Sequence, residues 1–458
     1  MNEILFSTTT ELASAIRAKQ VSASEVLEAH LGQIEKHNAE LNAIVTMDVE
    51  GARQRAQAAD AALAHGEFWG PLHGVPMTLK DALATAGMRT TCGFEPLADY
   101  VPAKDGTTAA RLKSTGAIIL GKTNVPVLLG DWQTDNPIFG RSNNPWDLAR
   151  TPGGSSGGAC AAVAAGLVPL EIGTDLSGSV RIPAAYCGVY GLKPTEHRVS
   201  LDGIVAGPPN SPRPVRIMSV IGPIARSIDD LGLALGIIAG PDGRDTDVPP
   251  LGLKPEEPLA FKGLRLAWAS TFPGVPVSQG IRQAIERLAA ELDRLGSRIE
   301  QSLPELDFGQ QGALFGKLVN DVIGALQPVP DGVRPVSLAD YLIELDQRDK
   351  FILAWEDYFE NWDALLCPAA MTTAFEHRPI GTPIEVNGAQ AQYWNIPGYC
   401  LPFNLTGHPA VVIPMGQDQE GMPIGLQIVG RKWSEERLLA VAKTLTQVTG
   451  GYQRPAGY

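Results

Sequence analysis

Pro152-Gly153-Gly154-Ser155-Ser156-Gly157-Gly158, running straight into Ala159-Cys160-Ala161-Ala162-Val163-Ala164-Ala165 and on through Val168-Pro169-Leu170-Glu171-Ile172 to Gly173-Thr174-Asp175-Leu176-Ser177-Gly178-Ser179-Val180-Arg181, reads as loop, helix, strand and second loop. The helix, from about Gly158 to Ala165, carries only small side chains, which permit close approach to a sheet, and its N-terminus points at the first serine cluster. Val168 to Ile172 is a short apolar run of strand length. A linker rarely opens directly into an apolar helix, so the glycines of 153–158 are read as built structure.

Working outward, the segment from Gly70 to about Val220 keeps this texture of short apolar runs broken by glycine and proline, with helical stretches between them. That pattern predicts a sheet flanked by helices, with further strands at Val75 to Leu79 and Ala117 to Leu120. Alternation of Val75, Met77 and Leu79 puts Thr78 and Lys80 on the other strand face. Upstream, Thr8 with Glu11 and Ser22 with Glu25 fit the capping-box pattern and predict two helices, and an Ala-rich helix follows over Glu50 to Ala64. Downstream, strands are expected at Leu264 to Trp268 and Ala364 to Cys367, and helices at Ile281 to Leu295, Leu338 to Phe359 and Ser434 to Thr446. Leu201 to Pro223, rich in glycine and proline, reads as a long loop able to wall a pocket. The simplest organisation is one large α/β domain over 1–458: N-terminal helices in 1–69, a catalytic region in 70–223, and a part completing the sheet and pocket in 224–458. A boundary at Gly240 to Pro258 is the alternative.

Lysine and arginine total 37 against 50 acidic residues, a formal net charge of -13, which disfavours a large footprint on nucleic acid or an anionic membrane. The N-terminal residues show no basic segment leading into an apolar one, and no run approaches the roughly 18 apolar residues of a membrane span, so a cytoplasmic protein is expected. Five cysteines without a C-x-x-C pair suggest neither a disulfide framework nor a zinc site.

A serine hydroxyl near neutral pH needs a base to become a nucleophile. Lys80 can serve if burial lowers its pKa; a shift of about 3 units corresponds to roughly 4 kcal/mol, within what a closed site imposes. A neutral Lys80 amine would draw a proton from Ser179 through Ser155, which makes Ser155 a relay. Glycine-rich turns let backbone N–H groups converge on one point, and Leu176, Ser177, Gly178 and Ser179 are the candidate oxyanion donors. Ser156, Thr174, Asp175 and Arg181 are candidate supports: Ser156 as a hydrogen-bond partner of Lys80 or a helix cap, Arg181 as an orienter of the loop or a ligand for a substrate carboxylate. Trp132, Phe139, Tyr393 and Trp394 are candidate pocket residues. Neither metal nor cofactor is called for.

Two rival motifs compete. Gly116-Ala117-Ile118-Ile119-Leu120-Gly121-Lys122-Thr123 matches the P-loop pattern letter by letter, but the residues between its glycines are themselves strand-like, where a phosphate cradle needs a flexible turn. Gly153-Gly154-Ser155-Ser156-Gly157 satisfies the G-x-S-x-G elbow, which requires a later acid and histidine, with His197, His377 and His408 the only candidates.

The combination of 152–158, Gly173 to Pro183 and Gly74-Val75-Pro76 before Lys80-Asp81 resembles the amidase signature family. Gly121-Lys122-Thr123-Asn124, Gly140 to Trp146, Cys187 to Thr195, Phe403-Asn404-Leu405-Thr406-Gly407 and Gly421 to Gln427 add to the likeness. It is dense from Gly70 to Pro223 and resumes from Cys400. It implies a large, mixed, mostly parallel twisted sheet covered by helices on both faces, and a triad of lysine, cis-serine and nucleophilic serine. Carried over, the peptide into Ser155 is cis, Ser179 forms the acyl-enzyme and Lys80 is the base. Ser177 departs from the family, which often has glycine there. The expected activity is cleavage of a small amide, anilide, carbamate or ester by a monomer or homodimer. The alternative is the glutamine-amidase subunit of a tRNA-dependent amidotransferase, which resembles the same family.

Overall fold

The two capping boxes form as expected. Thr8 and Ser22 each accept from the backbone N–H three residues on, and Glu11 and Glu25 return the bond, so the helices Thr9–Arg17 and Ala23–Leu41 start where the sequence places them. The alanines of Val49–Ala64 let that helix seat against Ala23–Leu41 and the adjacent sheet. The computed structural model describes residues 2–205, 207, 215–254, 259–325 and 335–458. Residues 206 and 208–214 of the glycine- and proline-rich 201–223 loop and 255–258 of the 240–258 boundary candidate therefore lie outside the described residues, and the end of that expected loop is corrected, since Val220–Ala225 is a strand paired on both sides.

Thirteen strands are described: β1 (Ile44–Met47), β2 (Pro76–Lys80), β3 (Ile118–Thr123), β4 (Leu170–Asp175), β5 (Tyr190–Lys193), β6 (Val220–Ala225), β7 (Arg265–Trp268), β8 (Arg298–Gln301), β9 (Ala364–Pro368), β10 (Ile384–Val386), β11 (Ala389–Ala391), β12 (Ala410–Gln417) and β13 (Pro423–Val429). Eleven make one sheet in the order β1-β3-β2-β4-β6-β5-β12-β13-β9-β7-β8, and β10 with β11 form a separate hairpin.

The sheet is mixed and flanked by helices, as expected, but the expected parallel majority is corrected. Six of its ten pairings are antiparallel and four are parallel. The reason is specific. Pairings among the strands legible in the sequence (β2, β3, β4, β7 and β9) are all parallel, and every antiparallel pairing involves β1, β5, β6, β12 or β13, which the sequence reading passed over. β12 and β13 are a hairpin, closed by Asp418 N–H to Met422 O at 2.9 Å, so they run antiparallel without a crossover helix.

The helix Gly157–Ala164 packs on β2, β4 and β6 and against the helix Arg181–Cys187, which in turn covers β5, β12 and β13. Both are wholly buried. Small side chains in the first let its backbone close on the sheet, and no Cβ is tolerated at Gly158, where one would meet Asn124 N at 2.5 Å. The P-loop reading fails on topology: β3 runs through 118–123, and Lys122 is buried with its amine on Leu83 O.

Candidate active site

Parallel pairing of β2 with β4, Thr78 opposite Glu171 and Leu79 opposite Ile172, brings Lys80 alongside the end of β4. There its amine lies 2.9 Å from Thr174 Oγ1 and 3.3 Å from Thr174 O. It also lies 2.7 Å from Ser155 Oγ. The peptide between Gly154 and Ser155 is cis. All three side chains are buried. Burial pulls the Lys80 amine down to about 7, overcoming Asp175, whose negative charge would otherwise hold its proton. Glu171 is itself pushed up to about 8 by burial; Thr78 and Thr123 donate to its carboxyl.

Ser179 belongs to the same cluster, its carbonyl accepting from Ser156 N–H at 3.1 Å. Among the described residues its hydroxyl takes no hydrogen bond, so the step from Ser155 to Ser179 is not closed as a direct bond. The hydroxyl is left available to an incoming carbonyl.

Asp175 shapes the second serine loop. Its carboxylate accepts from Gly178 N–H at 2.8 Å, Val180 N–H at 3.0 Å and Arg181 N–H at 3.4 Å. One of the four expected oxyanion donors is thereby corrected: the Gly178 N–H is spent on Asp175, and the N–H groups of Leu176, Ser177 and Ser179 remain. The left-handed conformation falls on Gly178, at φ 101°, and not on Ser177. A serine at 177 is therefore accommodated without backbone strain, while a Cβ at 178 would crowd Cys400 Sγ at 2.9 Å.

Arg181 grips Asp175 with two bonds, Nε to Oδ2 at 3.0 Å and Nη2 to Oδ1 at 2.9 Å. Its remaining donors go to Gln427 Oε1 at 2.7 Å, Cys400 O at 3.2 Å and Asn404 Oδ1. Burial opposes ionisation of Asp175, but the guanidinium and Asn404 outweigh it and hold the carboxyl well below the usual range. Wholly buried and fully engaged, Arg181 orients the loop and has no donor left for a substrate carboxylate. Asp175→Asn would strand a buried guanidinium and is expected to cost about 3–5 kcal/mol of stability in urea unfolding.

Ser156 takes neither expected part. It precedes the helix Gly157–Ala164 without capping it, and its hydroxyl points to Thr174 O at 3.4 Å rather than to Lys80. The elbow reading finds no base: His377 contacts Asn143, His408 contacts Thr406 and Glu356, and His197 lies beside Glu196. Asn404 and Gln427, missed as site residues, sit inside the motifs 403–407 and 421–427, and only the fold shows that they converge on Arg181.

Trp132, Tyr393 and Trp394 form one aromatic group, with ring centroids 5.5–6.1 Å apart. Phe139 stands apart beneath the Arg89 guanidinium. A groove of about 480 Å³ between the helices Ile228–Ile238 and Glu435–Thr449 contains none of these residues. Among the described residues there is no cluster suited to a metal ion, and no helix is long and apolar enough to cross a membrane.

The family model for amidases matches residues 25–329 and 334–439. The chain is 35% identical to a glutamyl-tRNA(Gln) amidotransferase subunit of Moorella thermoacetica, covering 99% of this chain and 98% of that protein. Among solved structures it superposes on a chain of an inhibitor-bound vestigial protein complex, described as revealing the evolutionary origins of an s-triazine catabolic enzyme, with a TM-score of 0.86, 30% identity and coverage of 98% and 100%. It also superposes on a bacterial aryl acylamidase of the amidase signature family with a TM-score of 0.87, 27% identity and 99% coverage of each chain. By that match across nearly the whole chain, this protein belongs to the amidase family and is an enzyme of amide C–N bond hydrolysis.

Proposed function

We propose that the protein cleaves its amide through an acyl-enzyme on Ser179. The observation that carries this reading is the buried Lys80 amine, lowered to about 7 and 2.7 Å from Ser155 Oγ. Ser179 Oγ attacks the carbonyl carbon as its proton passes to Ser155 Oγ and the Ser155 proton passes to Lys80 Nζ. The negative charge on the carbonyl oxygen is met by the N–H groups of Leu176, Ser177 and Ser179, held in place by the Asp175–Arg181 pair. Collapse breaks the C–N bond, and the amine leaves with a proton returned from Lys80 through Ser155. Water then repeats the sequence on the ester and frees the acid and Ser179.

Two versions share this chemistry. One is a self-sufficient amidohydrolase, monomeric or homodimeric, acting on a small substrate. The other is the glutamine-amidase subunit of a tRNA-dependent amidotransferase, and the curated relatives, which carry an amidotransferase name at 32–35% identity over nearly full length, favour it over the first. Their name also removes support from the expectation, drawn from net charge, that nucleic acid plays no part. Purified alone, a self-sufficient enzyme turns over an amide panel and ignores glutamine. The amidotransferase component releases ammonia from glutamine and copurifies with partner chains from its native cells.

A further inference from the structure

We propose that Met218 is a positioning residue for the reaction: held in a left-handed backbone conformation, it sets the direction of the Leu176 N–H, one of the donors that meet the developing oxyanion. The inference rests on the reading of Ser179 and its loop given above. Met218 lies just ahead of β6 at φ 68°, in the region that favours glycine. Its side chain is fully buried. A long side chain kept at such an angle, where glycine would be unstrained, marks a position at which the side chain is used.

Both polar groups of that backbone are fixed. The Met218 N–H donates to Glu196 Oε1, and the Met218 carbonyl accepts from Asn404 Nδ2 at 3.0 Å. Glu196 is buried and takes two bonds from Arg348 Nη2, at 2.8 and 2.6 Å, while Arg348 Nε donates to Leu405 O at 2.6 Å. Burial opposes ionisation of Glu196, but Arg348 and the Met218 N–H outweigh it and hold the carboxyl below its usual range. The acceptor of the strained N–H is therefore a carboxylate anchored to the helix Leu338–Phe359.

Met218 reaches the Leu176 amide from two sides. The first is polar: Asn404 Nδ2, besides holding Met218 O, contacts Asp175 Oδ1 at 3.0 Å and Asp175 O at 3.5 Å. The Asp175 carbonyl and the Leu176 N–H belong to one planar trans peptide, so fixing where the carbonyl points fixes the N–H in the opposite direction. The second is apolar. Met218 packs in a buried cluster with Leu314, Phe315 and Leu318 of the helix Phe308–Gly324 and with Leu405, and the Leu176 side chain packs against that cluster. Met218 joins the two sets, its backbone in the polar one and its side chain in the apolar one.

Met218→Ala removes the side chain, Met218→Gly does so and also relieves the backbone angle, and Met218→Leu keeps an apolar side chain of similar volume. Each is followed by the rate of fluorophosphonate labelling of Ser179 against pH, together with the fraction of chains that takes the label. The phosphoryl oxygen of the probe takes the place of the carbonyl oxygen, so the rate reads the oxyanion donors as well as the nucleophile. For Met218→Ala and Met218→Gly the labelling rate on the high-pH plateau should fall about tenfold, less than the roughly hundredfold that follows outright loss of a donor. The acid limb should stay near 7, because neither Lys80 nor Ser155 is among the partners of Met218, and the labelled fraction should match the wild type. Met218→Leu should return to within about threefold of the wild-type rate. An unchanged rate in both truncations, a loss confined to the labelled fraction, a displaced acid limb, or a leucine variant as slow as the alanine one overturns the inference. Where Met218→Ala does not fold, Met218→Gly, freed of the strain, decides. No label on Ser179 in the wild type overturns the Ser179 reading beneath it instead.

Discussion

Ser179→Ala is expected to lower kcat by about 10⁴–10⁶ and leave the urea-unfolding midpoint where it is. The two halves of that expectation come from the same observation. Among the described residues the Ser179 hydroxyl has no hydrogen-bond partner, so its removal breaks no bond in the resting fold. What disappears is the atom that forms the ester with the acyl group, and the surviving N–H groups of Leu176, Ser177 and Ser179 polarise a carbonyl that nothing attacks. Retention of more than about a hundredth of wild-type kcat, in protein free of wild-type contamination, is incompatible with Ser179 as nucleophile.

Lys80→Met removes the base and is expected to lower kcat by about 10²–10⁴. The wild-type rate should rise with pH through about 7, because only the deprotonated amine accepts the proton relayed by Ser155. In the variant that limb should vanish. The sign for stability is opposite to the sign for activity. An amine whose folded pKa lies below the 10.5 of an exposed lysine penalises the fold; that penalty is full below about 7 and fades as pH rises toward 10.5. Methionine fills similar space with no charge to desolvate, so Lys80→Met should unfold at higher urea than the wild type at pH 7 and near the same concentration at pH 10. A variant less stable at pH 7 would mean that the lysine is held for structure.

What was legible in the sequence was what is encoded locally. Thr8, Ser22 and their glutamates specify helix starts within four residues, and both form. β2, β3 and β4 were visible as apolar runs between glycines, and Lys80, Ser155 and Ser179 through spacing and resemblance. The central strands were not, and β6 shows why. Gly222-Pro223 falls in the stretch that reads as a long loop, but a Cβ at 222 would run into Leu192 O of the neighbouring β5, so the glycine is there for strand approach. The proline at 223 is tolerated in a paired strand opposite Ile172. β5 is four residues long, too short to show a period. The support of Arg181 by Asn404 and Gln427, and the tie of Tyr393 to Asp131, join residues more than 200 apart in the chain, and only tertiary structure reveals them. The spent N–H of Gly178 was equally hidden, because a motif gives the residue and not the direction in which its amide points.

The most direct test of the account is the pH dependence of fluorophosphonate labelling, mapped by peptide, in wild type, Ser155→Ala and Lys80→Met. The prediction is a label on Ser179 whose rate titrates with an apparent pKa near 7 in the wild type, and is slow and flat in both variants. A label on another serine, or labelling of Lys80→Met at the wild-type rate, would contradict it.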